Sequence, residues 1–477
     1  MRRIFFVLLS CLVAHAAIAQ DTDGETTFEL ATEAVEHMRV GWNLGNTLES
    51  NSGDTLRMWI EANKSRNVTS YETAWGQKVT RAALFKMLRH AGFNAVRIPV
   101  TWYPHMEATF SSVRGYNDNG SWSYTPWLPS QDDIGTQVQK AWMRRVKQVV
   151  NYVINEGMYC ILNVHHDTGA ANTAWLVADE SVYAAQHERF EALWTQIAEE
   201  FKDYDEHLLF EGYNEMLDTK DSWCFASHAA DGGYNAAIAK SAYNAINAYA
   251  QSFVNAVRAT GGNNAQRNLI VCTYGACDGS GTWNNHLQDP LKQMKLPDDT
   301  ADGHLIFEVH CYPDISNLNA AKTGLNSTIL NLKRYLVQKG APVIFGEWGI
   351  SGGGDNRANH ADFVNYFAQR AKTNKMGLFY WMGLTDGSHR TVPEFNEQDL
   401  VDAMMTGFYG EGGYVAGIED TREARTTLWG QDYNTTQTDH RHNLSSHVFD
   451  LTGRCYPSPA PLPSGFYIAQ GQKVWVK

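Results

Sequence analysis

Positive charge is what this chain has least of relative to its counterpart: 39 Lys and Arg stand against 52 Asp and Glu, a formal net charge of −13 over 477 residues. Nucleic-acid binders carry a basic footprint, so this balance argues against a polyanionic partner, and no nucleic acid is expected. Metal-binding spacings are missing as well. Cysteines and histidines are scattered irregularly, with no CxxC and no HExxH, which argues against a structural zinc site. None of the apolar runs leads into a glycine-rich phosphate loop, and neither a metal nor an organic cofactor is expected. Beyond the N-terminal leader no apolar stretch is long enough to span a bilayer.

That leader, MRRIFFVLLSCLVAHAAIAQ, combines two arginines, a short apolar run and the small-residue pattern Ala17-Ile18-Ala19 before Gln20. Residues 1–19 therefore read as a signal peptide cleaved after Ala19, its apolar part too short to serve as an anchor. Leu8-Leu9-Ser10-Cys11 also resembles a lipoprotein processing site, although Cys11 would cut the apolar run short. A monomer that is secreted, periplasmic or held at the cell surface is expected. Export permits disulfides, yet Cys160, Cys272 and Cys311 lie in apolar strand-like runs where a thiol serves as a small hydrophobe, so mostly free buried thiols are expected. Cys272 and Cys277 are close enough in sequence to leave a bridge open.

Short apolar runs with strand character recur along the chain, separated by stretches of helical period. Strands are expected at Val40 to Thr47, Asn94 to Val100, Met158 to Val164, Leu208 to Tyr213, Asn268 to Thr273, Leu305 to Val309, Pro342 to Phe345 and Gly377 to Trp381. Helices are expected at Lys78 to Ala91, ended by Gly92, at Ala141 to Asn155, ended by Gly157, and at Tyr183 to Phe201, Ala236 to Arg258, Ile329 to Lys339 and Asp362 to Thr373. Eight strands alternating with helices imply an α/β fold, a (β/α)8 TIM barrel over residues 28–430 with its active site at the C-terminal strand ends. Three inserts follow strands, His105 to Gln137, Asp218 to Gly233 and Tyr274 to Pro297. They carry Trp122, Tyr124, Trp127, Trp223 and Trp283, whose flat faces suit the C–H faces of sugar rings and serve equally well to pin long loops. Past Gly413 the composition turns polar, and prolines 457, 459, 461 and 463 mark a linker inside a short β-type tail, residues 440–477.

Two strand-like runs end in glutamate, His207 to Met216 at Glu215 and Pro342 to Gly349 at Glu347. Alternation along a strand puts Glu211, Tyr213 and Glu215 on one face, and likewise Asn163 with His165 and Asp167, Glu308 with His310 and Tyr312, and Phe345 with Glu347. Glu215, His165, Tyr312 and Glu347 would then meet at one mouth. Glycosidic cleavage needs one protonated carboxyl and one ionised carboxylate, and a carboxyl in a drier setting has its pKa raised. Arg97 is placed to pair with Glu347 and hold it ionised, and Asn214 to meet a sugar 2-hydroxyl. Taken singly, each has a structural reading: a strand-end glutamate is often a salt-bridge partner, and His165-His166 could be a packed or metal-binding pair. Glu211 and Glu308, earlier in their strands, read as hydrogen-bonded filler.

The ordered set Gly41-Trp42-Asn43-Leu44-Gly45-Asn46, Arg97-Ile98-Pro99-Val100, Asn163-Val164-His165-His166, Tyr213-Asn214-Glu215, His310-Cys311-Tyr312, Phe345-Gly346-Glu347-Trp348-Gly349 and Tyr380-Trp381 resembles glycoside hydrolase family 5, the cellulase family. The resemblance implies a retaining endo-β-1,4-glucanase acting on a β-linked polysaccharide or oligosaccharide, with Glu215 as acid/base and Glu347 as nucleophile. It further implies that Asn43, Arg97, His165, His166, Asn214, His310, Tyr312 and Trp381 are supporting, substrate-binding positions, Trp381 flooring the subsite of the attacked sugar. Many members carry proline after the acid/base glutamate; Met216 stands here, which leaves xyloglucan, mixed-linkage glucan and mannan open as substrates. A barrel that keeps its aromatic platforms but only binds carbohydrate is the rival from another class. The C-terminal end, Asp450 to Arg454 with the final GFYIAQGQKVWVK, is similar to the end of the sorting domain used by type IX secretion.

Overall fold

In the computed structural model the strands are β1 (Gly41–Asn43), β2 (Ala95–Ile98), β3 (Tyr159–Asn163), β4 (Leu208–Glu211), β5 (Leu269–Cys277), β6 (Leu305–Cys311), β7 (Val343–Trp348) and β8 (Gly377–Tyr380). Each pairs in parallel with its sequence neighbours, and β1 pairs with β8, which closes the (β/α)8 barrel. The structure describes residues 27–51, 68–108, 115–116, 122–123, 134–169, 174–227, 233–411, 447–450, 455–457, 465–469 and 472–476. The leader with Cys11, the insert residues Tyr124 and Trp127, and the proline cluster from Pro459 to Pro463 lie outside them.

The strand-following helices are α1 (Ala82–Ala91), α2 (Lys140–Ile154), α3 (Glu180–Glu200), α4 (Ala236–Ala259), α5 (Asp289–Gln293), α6 (Leu318–Tyr335), α7 (Arg357–Thr373) and α8 (Gln398–Tyr409). In α2, Trp142, Val146, Val149, Val150 and Val153 are buried at helical spacing, which turns one face onto the sheet. Burying each such side chain is worth about 1.5–3 kcal/mol, so these stripes fix the layers. Helix starts follow the capping residues. The Asp179 carboxylate accepts from the backbone N–H of Ser181 and Val182, so α3 begins before the expected Tyr183. Asn317 accepts from Ala320 N, so α6 begins eleven residues before the expected Ile329. Gly92 closes α1 in the left-handed region, at φ 107°, as expected.

Inside the barrel the lowest layer is apolar: Ala95, Tyr159, Leu209, Ile270, Ile306, Ile344 and Phe379 pack together, closed below by Ala31, Val35 and Met38 of an N-terminal helix, Ala31–His37. Gly41 completes this layer by absence, since a Cβ there would lie 2.3 Å from the Phe379 ring. One pleat higher the same inward positions carry Asn43, Arg97, Asn163, Glu211, Cys272 and Glu308, and the barrel turns polar towards its C-terminal mouth.

Two expected faces are corrected. Tyr213 follows the end of β4 and its hydroxyl donates to the carbonyls of Ile246 and Cys272, so it packs towards α4 rather than beside Glu215. The register of β7 shifts between Phe345 and Trp348. Phe345 and Trp348 both face Phe367 of α7, at ring distances of 5.0 and 4.1 Å, while Glu347 turns inward. A bulge adds one residue and so re-aims the side chain that follows it. The Cys272–Cys277 bridge is absent: both thiols are free, as are those of Cys160, Cys224 and Cys311.

The contact pattern separates residues 420–477 as a second unit. Its described strands, His447–Asp450, Cys455–Pro457, Gly465–Ala469 and Gln472–Val476, form a four-stranded antiparallel sheet, larger than the two strand patterns expected.

Candidate active site

Arg97, carried inward by β2 and fully buried, organises the mouth. Its Nε and Nη2 grip Glu211 at 2.6 and 2.7 Å, Nη2 also donates to Asn214 Oδ1 at 2.8 Å, and Nη1 reaches Glu347 Oε1 at 2.8 Å and Asn43 Oδ1 at 3.1 Å. The planar fork of a guanidinium suits such a set, and a lysine could not reproduce it. Asn43 spends its amide on the carbonyls of Gly346 and Phe379, and it has no exposed surface. Arg97 and Asn43, expected to bind substrate, are both without exposed surface, and their polar atoms meet protein groups. Asn214 gives its oxygen to Arg97, which leaves its amide N–H groups turned away from the guanidinium and free to donate.

Glu347 is held on both oxygens, by Arg97 on Oε1 and by the Tyr312 hydroxyl on Oε2 at 2.7 Å. Glu215 Oε1 lies 2.7 Å from Nδ1 of His310, whose ring nitrogen is also 3.5 Å from Glu347 Oε2. One carboxylate oxygen of Glu215, one of Glu347 and a nitrogen of His310 all lie within 4.8 Å of one another. Of the two, Glu347 is the drier: its side chain is 6% exposed and that of Glu215 24%. Burial pushes the Glu347 carboxyl up, while the charges of His310 and Arg97 and the Tyr312 hydroxyl pull it down. Partners, not dryness, distinguish the two.

Burial opposes charge on His310, but the charge of Glu347 and the hydrogen bonds to Glu215 and Glu308 push its pKa up to about 10. His165 goes the other way. Burial, with the positive charges around it, holds it well below the usual range, and Asn163 Nδ2 donates to its Nδ1 at 3.0 Å, so the proton on Nε2 faces Glu347 Oε1 at 3.8 Å. Burial likewise brings His166 down to about 4. The Trp381 ring lies parallel to His165, with centroids 5.8 Å apart, and Gly45 leaves room for it.

Residues 59–386 match the cellulase family, glycosyl hydrolase family 5. This chain belongs to that family. A curated relative, Endoglucanase B of Neocallimastix patriciarum, is 30% identical over 412 residues, covering 83% of this chain and 73% of the relative. Endoglucanase A of Clostridium longisporum is also 30% identical, and the match spans 79% of this chain and 66% of that protein. Among solved structures, a broad-specificity endoglucanase from an uncultured bacterium is 46% identical, with 80% of this chain and 97% of that one covered and a TM-score of 0.71. A family 5 enzyme from Prevotella bryantii B14, solved with a xyloglucan tetradecasaccharide, is 38% identical, with coverage of 80% and 99% and a TM-score of 0.65. The chain is thus a family 5 glycoside hydrolase of the endoglucanase type, and its substrate is a polysaccharide. No helix among the described residues is long and apolar enough to cross a membrane.

Around the family 5 centre stand aromatics on opposite sides of the ring of strands. On the β1 side Trp75 lies 5.4 Å from His166 and donates to the Asn51 carbonyl; nothing in its sequence surroundings marked it. On the β5 side Trp283 is 69% exposed, 5.7 Å from Phe225, beside the stacked pair Tyr234 and His286. Trp223 is also exposed. Glu211 and Glu308 are fully buried and hydrogen-bonded, as expected, but their partners Arg97, Asn163, Cys272 and His310, most of them on other strands, could not be read from the sequence. Among the described residues two trios could offer ligands to a metal, Glu211 with Cys272 and Glu308, and Glu215 with His310 and Glu347. The first already faces the Arg97 guanidinium, and the second is the carboxylate pair described above.

Proposed function

We propose that this family 5 chain is a retaining endo-β-1,4-glucanase with Glu347 as nucleophile and Glu215 as acid/base. The observation that carries the reading is the 4.8 Å limit between their oxygens, which suits the roughly 5–5.5 Å carboxyl spacing of retaining enzymes and is too tight for an inverting water. In the first step a Glu347 oxygen bonds to the anomeric carbon as the glycosidic C–O bond breaks, its electron pair leaving with the oxygen that Glu215 protonates. Glu215 then takes a proton from water, the water oxygen bonds to the anomeric carbon, and the ester to Glu347 breaks. Arg97 and Tyr312 stabilise the carboxylate that departs. Asn214 donates to the sugar 2-hydroxyl and His165 Nε2–H faces the same region.

The substrate we propose is a β-1,4-glucan backbone, xyloglucan included. The likeness to a broad-specificity endoglucanase and to an enzyme solved with a xyloglucan oligosaccharide supports it. The chain is exported by residues 1–19, and the tail from Asp450 serves as a sorting segment; the leader composition and the separate β unit support these two points. The mature chain from Gln20 should release reducing sugar from carboxymethyl cellulose, mixed-linkage glucan and xyloglucan, with glucomannan slower. Turnover of mannan alone would overturn the substrate, and inverted product anomers by NMR the mechanism.

Trp283→Ala should lower kcat/KM on polymers about tenfold, the equivalent of about 1.4 kcal/mol, through KM. It should leave an aryl cellobioside, too short to reach the β5 side, unaffected. Equal losses on both substrates would make Trp283 a structural residue.

A further inference from the structure

Glu308 is fully buried, yet it touches both halves of the site. Its Oε1 lies 3.3 Å from Nε2 of His310 and 3.3 Å from Nε of Arg97, and its Oε2 accepts from the Cys272 thiol at 3.2 Å. The chain makes room for it. A Cβ at position 346 would fall 1.4 Å from Glu308 Oε1, so the glycine before Glu347 is what lets this carboxyl reach the axis. Burial raises the Glu211 carboxyl to about 8, whereas the charge of Arg97 and the hydrogen bond from His310 hold the Glu308 carboxyl below its usual range against burial.

We propose that Glu308 is a positioning residue for the hydrolysis: its carboxyl oxygen accepts Nε2–H of His310 and thereby keeps a fixed cation between Glu215 and Glu347. An imidazole with one proton must choose a nitrogen. With Nε2–H committed to Glu308 and Nδ1–H directed at Glu215 Oε1, both nitrogens donate, and the ring is charged. Glu215 then carries its transferable proton on Oε2, the oxygen His310 does not touch.

The groups facing His310 are Glu215 after β4, Glu347 of β7, His165 after β3, Cys277 of β5 and Glu308 on its own strand. Facing Glu308 are Arg97 of β2, Glu211 of β4, Cys272 of β5 and His310. Of these only the carboxyls favour a charged imidazole, and Glu308 is the one that meets Nε2.

This inference rests on the roles proposed above for Glu215 and Glu347. Its test uses the mature enzyme and two variants. Glu308→Leu leaves Nε2–H of His310 without an acceptor. Glu308→Gln keeps a carbonyl oxygen for His310 and an amide for Glu211. In wild type, 15N shifts of labelled histidine should show His310 doubly protonated up to pH about 9, in keeping with its raised pKa. In Glu308→Leu that proton should leave at a pH lower by about one or more. Because His310 then loses its charge at a lower pH, the alkaline side of the kcat/KM profile should change from that of wild type. Glu308→Gln should restore both properties.

A merely structural role would lower kcat at every pH and leave the profile in place, and that result overturns the proposal. So does a neutral His310 in wild type at pH 7, or failure of Glu308→Gln to restore. If Glu308→Leu does not fold, the wild-type spectrum still decides, and His310→Asn must show the same change on the alkaline side of the profile. Glu215→Ala that slows dinitrophenyl and methylumbelliferyl cellobiosides equally would instead remove the acid assignment beneath this inference.

Discussion

Glu347→Gln is expected to keep the fold and to bind oligosaccharide while losing roughly four orders of magnitude or more in kcat. An amide cannot form the glycosyl ester, so a covalent step is removed rather than slowed. The replacement is isosteric, and its carbonyl oxygen still accepts from Arg97 Nη1, which sits 2.8 Å from that position. Circular dichroism and thermal melting should therefore match wild type closely. A 2-deoxy-2-fluoro cellobioside should label Glu347 in the wild-type chain and nothing in the variant. Near-normal turnover would end the assignment, and neither Glu211 nor Glu308 stands ready to replace it. Glu211 and Glu308 have no exposed surface, and both face the guanidinium from below.

Which parts of this centre could be read in advance follows from how each is encoded. Buried parallel strands are written as apolar runs, so all eight appeared in the sequence, as did the glutamates that end two of them. Alternation then failed where the backbone leaves the ladder. After Glu211 the chain is no longer a strand, and Tyr213 turns to α4. The bulge in β7 aims Glu347 inward although Phe345 points out, and a register shift leaves no mark in a pattern of period two. The early start of α6 was hidden by Gly324 and the polar residues around it, and only the Asn317 cap specifies it. The clamp of Arg97 on Glu211, Glu308 and Glu347 joins positions up to 250 residues apart. No local pattern could encode that, and the resemblance to family 5 named only Arg97 and Glu347 of the four.

Arg97→Met should be the most destabilising single change at the mouth, by about 3–5 kcal/mol, the usual cost of stripping one partner from a buried ion pair. The guanidinium is wholly enclosed and is the cation in contact with Glu211, at 2.6 and 2.7 Å, so its loss strands a buried charge. Measured against a net stability of about 5–15 kcal/mol, such a loss should show as a fall in Tm of several degrees or more. Activity should change in a pH-dependent way as well. Arg97 pulls the Glu347 carboxyl down against burial, so without it the folded-state pKa of Glu347 rises further. The nucleophile works only when ionised, so the acid limb of kcat/KM should move to higher pH, and activity at a fixed pH on that limb should fall about tenfold for every pH unit the limb moves. Arg97→Lys should recover little of either effect, because one ammonium cannot bond both oxygens of Glu211 and reach Glu347 and Asn214 together. A folded Arg97→Met with the wild-type Tm and an unmoved acid limb would mean that the five side chains around Arg97 are held by the barrel itself. The guanidinium would then be filler where we have made it the organiser.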